Sequence, residues 1–214
     1  MSYELRAMGK TQCSKLRAQS LKPKIMEIIK TSIDGLLIIK PDVFKDDRGY
    51  FFESYNKERL AKEGLTMDFV QDNESKSAKG VLRGLHFQKP PFCQSKLVRC
   101  IKGAVLDVAV DIRKGSPTFG KYVAVELTED NHRQFFVPRG FAHGFAVLSE
   151  EAVFQYKCDN YYNKESEGAI AWNDEQIAVD WKLPLDKVIL SEKDKLSKPL
   201  SEAGYLFDYN EKLY

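Results

Sequence analysis

Apolar residues recur at every second position over short stretches of the chain, the period of extended backbone whose successive side chains face opposite ways. In 104–113, Leu106, Val108, Val110 and Ile112 alternate with Val105, Asp107, Ala109 and Asp111, which predicts a strand with one apolar and one mixed face. Gly103 and the Gly115 to Pro117 turn punctuate it. Similar runs predict strands over 50–55, 69–73, 81–88, 96–101, 121–127, 133–137, 144–148, 153–157 and 169–172. Strands at this density predict an all-β sandwich or barrel. Only 56–63 reads as a clear helix, with Asn56 as N-cap, Leu60 on the apolar face and Gly64 as the stop. A second short helix is expected to open at Ser191, whose hydroxyl can cap the turn that holds Asp194.

At 214 residues, 43% hydrophobic and 12% aromatic, the chain fits an ordinary globule. No apolar run approaches the roughly 20 residues of a membrane-spanning helix. The formal charge of +2 is unevenly placed, because residues 1–25 hold six basic side chains against one acid. The remainder carries 27 basic and 30 acidic residues, so no broad basic field is expected there and nucleic acid is a poor partner. Residues 1–25 read as an extension, either disordered or a non-native start with Met26 as the natural one, and 26–214 as a single domain. A basic arm touching an acidic partner is the alternative for that extension. Cys13, Cys93, Cys100 and Cys158 show no C-x-x-C spacing, which fits reduced thiols in a cytoplasmic protein.

Three histidines are available to chemistry. His132, in a polar turn, reads as solvated, whereas His86 and His143 lie among apolar neighbours, where an unpaired imidazole is costly. Taken alone, either is more readily a satisfied core histidine than a functional one. The spacing Pro138-x-Gly140-x-x-His143 resembles the second motif of the cupin superfamily, whose jelly-roll barrels often hold a metal. The first cupin motif needs a His-x-His pair, and here His86 is followed by Phe87 and Gln88, too few imidazoles for the usual cage. No metal is expected.

Several separated segments carry a more specific resemblance. They are Asp47-Arg48-Gly49-Tyr50-Phe51-Phe52-Glu53, Gln71-Asp72-Asn73, Leu82-Arg83-Gly84-Leu85-His86-Phe87-Gln88, Lys96-Leu97-Val98-Arg99, Ser116-Pro117-Thr118-Phe119-Gly120 and Tyr156-Lys157-Cys158-Asp159-Asn160-Tyr161-Tyr162. From about Met26 to about Leu200 the chain resembles the dTDP-4-dehydrorhamnose 3,5-epimerase family, a branch of the cupin-like jelly rolls that works without metal. The resemblance implies a jelly roll with a few short peripheral helices. It also implies epimerisation of dTDP-4-dehydro-6-deoxy-D-glucose at C3 and C5, giving dTDP-4-dehydro-L-rhamnose without a cofactor. By resemblance His86 is the general base, Asp194 its orienting carboxylate, Tyr156 the acid across the sugar, and Lys96 the cation for the enolate oxygen. Arg48, Arg83 and Lys193 are matched to the diphosphate. Glu53, Gln71, Asp72, Asn73, His143 and Glu167 are matched to other ligand contacts. The family forms dimers with exchanged strands, which implies that Arg48 and Glu53 serve the partner's site.

Three rivals predict different behaviour. A related sugar-nucleotide enzyme inverts one centre or isomerises the ketone, a cupin oxygenase binds a transition metal, and a carbohydrate-binding jelly roll holds a sugar without solvent-proton exchange.

Overall fold

A computed structural model describes residues 26–214; the expectations for residues 1–25 lie outside the described residues. The strands are β1 (Met26–Lys30), β2 (Leu37–Pro41), β3 (Phe44–Asp46), β4 (Gly49–Phe51), β5 (Gln71–Ala78), β6 (Leu82–Gln88), β7 (Lys96–Lys102) and β8 (Ala104–Asp111). They continue as β9 (Arg113–Lys114), β10 (Tyr122–Thr128), β11 (Gln134–Val137), β12 (Phe141–Val147), β13 (Glu151–Cys158), β14 (Glu167–Ala169) and β15 (Phe207–Asp208). Two short helices, α1 (Lys57–Lys62) and α2 (Glu192–Lys195), lie outside the sheets. A six-stranded sheet, ordered β1-β2-β11-β7-β13-β5, faces a five-stranded sheet, ordered β10-β8-β12-β6-β14. The result is the all-β jelly-roll sandwich that the strand density and the resemblance led one to expect.

Side-chain alternation sorts residues into layers. Val98, Phe135 and Phe154 of the larger sheet meet Val105, Ala109 and Phe145 of the smaller one in the inter-sheet core. The opposite face of β8, with Leu106, Val108 and Val110, is also covered, by Ile170, Ile177, Trp181, Leu200 and Phe207 from the C-terminal part. Each such apolar side chain contributes about 1.5–3 kcal/mol on burial. The mixed face of β8 is therefore interior, and Asp107 and Asp111 are fully buried acids with partners. α1 forms where its caps place it: the Asn56 side chain accepts from the Arg59 amide at 3.1 Å, and Leu60 packs on Leu97 and Phe136 of the larger sheet.

Several boundaries differ from the sequence pattern. β1 and β2 were not among the predicted runs, and β12 starts at Phe141 rather than 144. β5 runs on to Ala78 through polar residues because all eight of its residues pair with β13. Within 50–55 only the β4 part is strand, paired with β3 as an exposed hairpin. The run 169–172 leaves strand geometry after Ala169. His132 is a correction: it is buried, not solvated, because the rings of Tyr50 and Phe52 close over it at centroid distances of 4.6 and 5.0 Å.

Candidate active site

β6 and β12 approach so closely that side chains are excluded at their crossing. A Cβ on Gly84, whose φ is +139°, lies 2.5 Å from Gly144 Cα, and one on Gly144 lies 2.7 Å from the Arg83 carbonyl oxygen. Glycine is required at both positions. A register shift follows between His143 and Phe145, and His86 and His143 become direct cross-strand partners.

Both histidines line a cavity of about 360 Å³ between the sheets. His86, Arg83 and His143 come from the smaller sheet, whereas Lys96, Ser75 and Tyr156 come from the larger one. A second recess of about 250 Å³ shares His86, Lys96 and Tyr156, so the three stand where the two spaces meet.

α2 delivers the partner of His86. Ser191 caps the helix by accepting from the Asp194 amide at 3.1 Å, and its hydroxyl donates to Asp194 Oδ2 at 2.8 Å. Asp194 Oδ1 lies 2.5 Å from His86 Nε2. Burial pushes the Asp194 carboxyl up, but the hydrogen bonds from His86 and Ser191 outweigh it and hold the group below the usual carboxylate range. An ionised carboxylate can only accept, so His86 Nε2 is the donor in this hydrogen bond.

Across the cavity, burial pushes the Tyr156 phenol up, which keeps its proton in place at neutral pH. The Lys96 ammonium sits 5.6 Å from the centre of that ring. Burial pushes Lys96 down. Among the described residues no salt bridge engages it, and Cys158 and Asp107 act on it only through space. His143 Nε2 lies 3.0 Å from both oxygens of Asp107. Burial pushes that imidazole down and that carboxyl up, so the charged forms of both are disfavoured.

Arg83 reaches the cavity rim while donating to the Ser77 hydroxyl at 3.2 and 3.3 Å. Lys193 bridges to Glu167 at 2.5 Å on the same side. Gln71, Asn73 and Glu167 line the second recess. Three other matched residues are not brought in. Asp72 projects from the outer face of β5, where it pairs with Lys157 at 2.8 Å, because strand alternation sends it away from Gln71 and Asn73. Arg48 is exposed on the β3–β4 hairpin and bonded to Asp46, and Glu53 accepts from Arg59 and Asn56.

Asp107, Ser75 and the hydroxyl bond of Ser191 escaped the sequence reading. Asp107 had a signal, an acid inside the apolar run of β8, whereas Ser75 had none. Ser75 lines the cavity, and its hydroxyl is buried without a hydrogen-bond partner. Among the described residues no three histidine, cysteine or acidic side chains gather as metal ligands.

Comparison with known proteins gives a consistent family. A family model described as dTDP-4-dehydrorhamnose 3,5-epimerase matches residues 30–202. The Escherichia coli protein of that description is 54% identical over 178 residues, covering 83% of this chain and 96% of its own length. The crystal structure of the Elizabethkingia anophelis epimerase is 54% identical with a TM-score of 0.81, covering 85% of this chain and 100% of that one. A Legionella pneumophila epimerase, solved in complex with dTDP-4-keto-L-rhamnose, is 51% identical with a TM-score of 0.83, covering 87% and 100%.

Proposed function

Since the chain belongs to the dTDP-4-dehydrorhamnose 3,5-epimerase family, we propose that the inter-sheet cavity performs the family's isomerisation with His86 as base and Tyr156 as acid. The protein is an isomerase that turns dTDP-4-dehydro-6-deoxy-D-glucose into dTDP-4-dehydro-L-rhamnose, a step of dTDP-L-rhamnose biosynthesis. One observation supports the residue roles above all: imidazole and phenol come from opposite sheets and line the same space. Inversion needs a proton removed from one face of the sugar and returned to the other, which two facing sheets supply without any large movement.

The C–H bonds at C3 and C5 are acidified by the C4 ketone between them. His86 Nδ1 takes the proton, and the electron pair moves onto the C4 oxygen as an enolate beside the Lys96 ammonium. Such a pre-placed cation is worth about 2.7–4 kcal/mol in the transition state. Tyr156 then donates its hydrogen to the same carbon from the opposite side. The step leaves an imidazolium and a phenolate, and exchange with solvent resets both. Nothing is oxidised and no group is transferred, so the chemistry calls for no cofactor.

Arg83 and Lys193, at the rim, suit the diphosphate, and Gln71, Asn73, Glu167 and His143 suit thymidine and sugar contacts. Arg48 and Glu53 are assigned to a second subunit's site in a homodimer with exchanged strands. The exposed Phe44, Tyr50 and Phe51 around that hairpin favour such a contact. Residues 26–214 are read as one catalytic domain of a cytoplasmic enzyme, in keeping with the free thiols of Cys93, Cys100 and Cys158. No helix among the described residues is long and apolar enough to cross a membrane, and the proposed reaction calls for neither membrane nor nucleic acid.

The test is His86→Ala, followed by NMR in deuterated water. The expected result is folded protein that binds dTDP normally, with turnover and deuterium entry at C3 and C5 reduced about 10²–10⁴-fold. Near-normal turnover removes His86 as the base. Deuterium entering only one carbon in the parent enzyme points to a single epimerisation instead.

A further inference from the structure

Three strands carry Lys96, Tyr156 and His143, and one polar cluster outside the cavity ties together the ends of all three. Ser95, wholly buried, immediately precedes Lys96. Its amide donates to Asp159 Oδ1 at 2.6 Å. Asp159 follows β13, three residues beyond Tyr156, and its other oxygen accepts from Arg139 Nε at 3.1 Å. Arg139 lies four residues before His143, in the turn that opens β12.

Tyr214 closes this network. Its hydroxyl accepts from the Arg139 amide at 3.3 Å, which leaves its own hydrogen for Ser95 Oγ at 2.7 Å. The Arg139 guanidinium lies 4.9 Å from the Tyr214 ring centre and donates to the Leu213 carbonyl at 2.5 Å. Tyr214 is 65% exposed as a whole residue, whereas its phenol is tucked in among these groups and burial pushes it up. The polar bonds and the cation over the ring are the contacts that fix it. The family model ends at residue 202, so nothing in that match accounts for this contact.

We propose that Tyr214 and Arg139 are positioning residues that, through Ser95 and Asp159, set where the Lys96 ammonium stands relative to Tyr156 and His143. This role rests on the assignment of Lys96 and Tyr156 to the reaction. The lever is geometric: Ser95 holds the backbone atom from which Lys96 extends, and a misplacement of about 1 Å at a reacting centre costs on the order of 10²-fold in rate. Losing one of the Ser95 anchors gives a smaller displacement and a smaller loss.

The experiment compares Tyr214→Phe, Ser95→Ala and the double variant with the parent, measuring kcat, KM, dTDP affinity and melting temperature. Each single variant is expected to lower kcat about fivefold to twentyfold, with KM and dTDP affinity within about twofold. The double variant should lose no more than Tyr214→Phe alone, because the one hydrogen bond that Ser95→Ala removes is already absent there. A kcat within twofold of the parent, a KM that rises with the fall in kcat, or additive losses overturn the proposal. So does a lowered melting temperature with kcat intact. Lys96→Ala in the same series separates the two levels: if it retains activity, the assignment of Lys96 falls, whereas an inactive Lys96→Ala beside a fully active Tyr214→Phe removes only the positioning role.

Discussion

The molecule contains two histidine–aspartate pairs less than one cavity apart, and they are built in opposite ways. His86 meets Asp194 through one oxygen at 2.5 Å, at the mouth of the space between the sheets, with its imidazole a third exposed. His143, deeper in the wall of the same cavity and 7% exposed, meets both oxygens of Asp107 at 3.0 Å. Hydrogen bonds from His86 and Ser191 overcome burial at Asp194 and keep it ionised, whereas at Asp107 burial prevails over His143. The same two residue types therefore yield an ionised orienter for a base in one place and a charge-averse internal brace in the other. Environment, not composition, assigns the role.

Removing the carboxylate charge from each pair should separate these roles. The largest effect is expected for Asp194→Asn, which no longer selects the Nε2–H tautomer or stabilises the imidazolium. By analogy with other oriented histidines, kcat should fall about 10²–10⁴-fold with little change in dTDP affinity. A loss below tenfold in steady-state assays shows that His86 is oriented by something else. Next comes Asp107→Asn, which gives up one of the two oxygens beside His143 Nε2 and should cost about 1 kcal/mol in urea unfolding. Stability equal to the parent's shows that Asp107 is already protonated and braces nothing as an anion.

The smallest effect is in the pH dependence of stability, and its sign differs between the pairs. Asp194 is depressed in the folded state, so its stabilisation is present above the unfolded value near 3.9 and is lost as pH falls through the folded one. Asp107 is raised, so it costs stability at neutral pH and that cost is relieved on acidification. His143 is depressed, so the unfolded chain takes up its proton first and stability falls below about pH 6.5. Urea titrations between about pH 6 and 3 should therefore show a shallower acid loss in Asp194→Asn and a steeper one in Asp107→Asn. Equal slopes in both variants erase the distinction.

Much of the site was legible in the chain. Local rules placed Asn56 and Ser191 as caps, and both cap their helices. The motif around His86, together with Lys96 and Tyr156, pointed to residues that do share one cavity. Alternation also explains why Gln71 and Asn73 face the recess, but applying the match to Asp72 overlooked the same rule. His132 was misread because the aromatic residues that cover it lie some 80 positions earlier, beyond any local window.

What the sequence determined by itself is what depends on neighbours along the chain: strand period, helix caps and the chemical types set at each motif. Tertiary structure alone decided which face of each strand turned inward, that Asp194 would meet His86 across 108 positions, and that Tyr214 would reach Ser95 across 119. The physical reason is that period-two alternation fixes only the parity of side chains, while burial and charge pairing depend on which sheet arrives opposite, a contact that no short segment encodes.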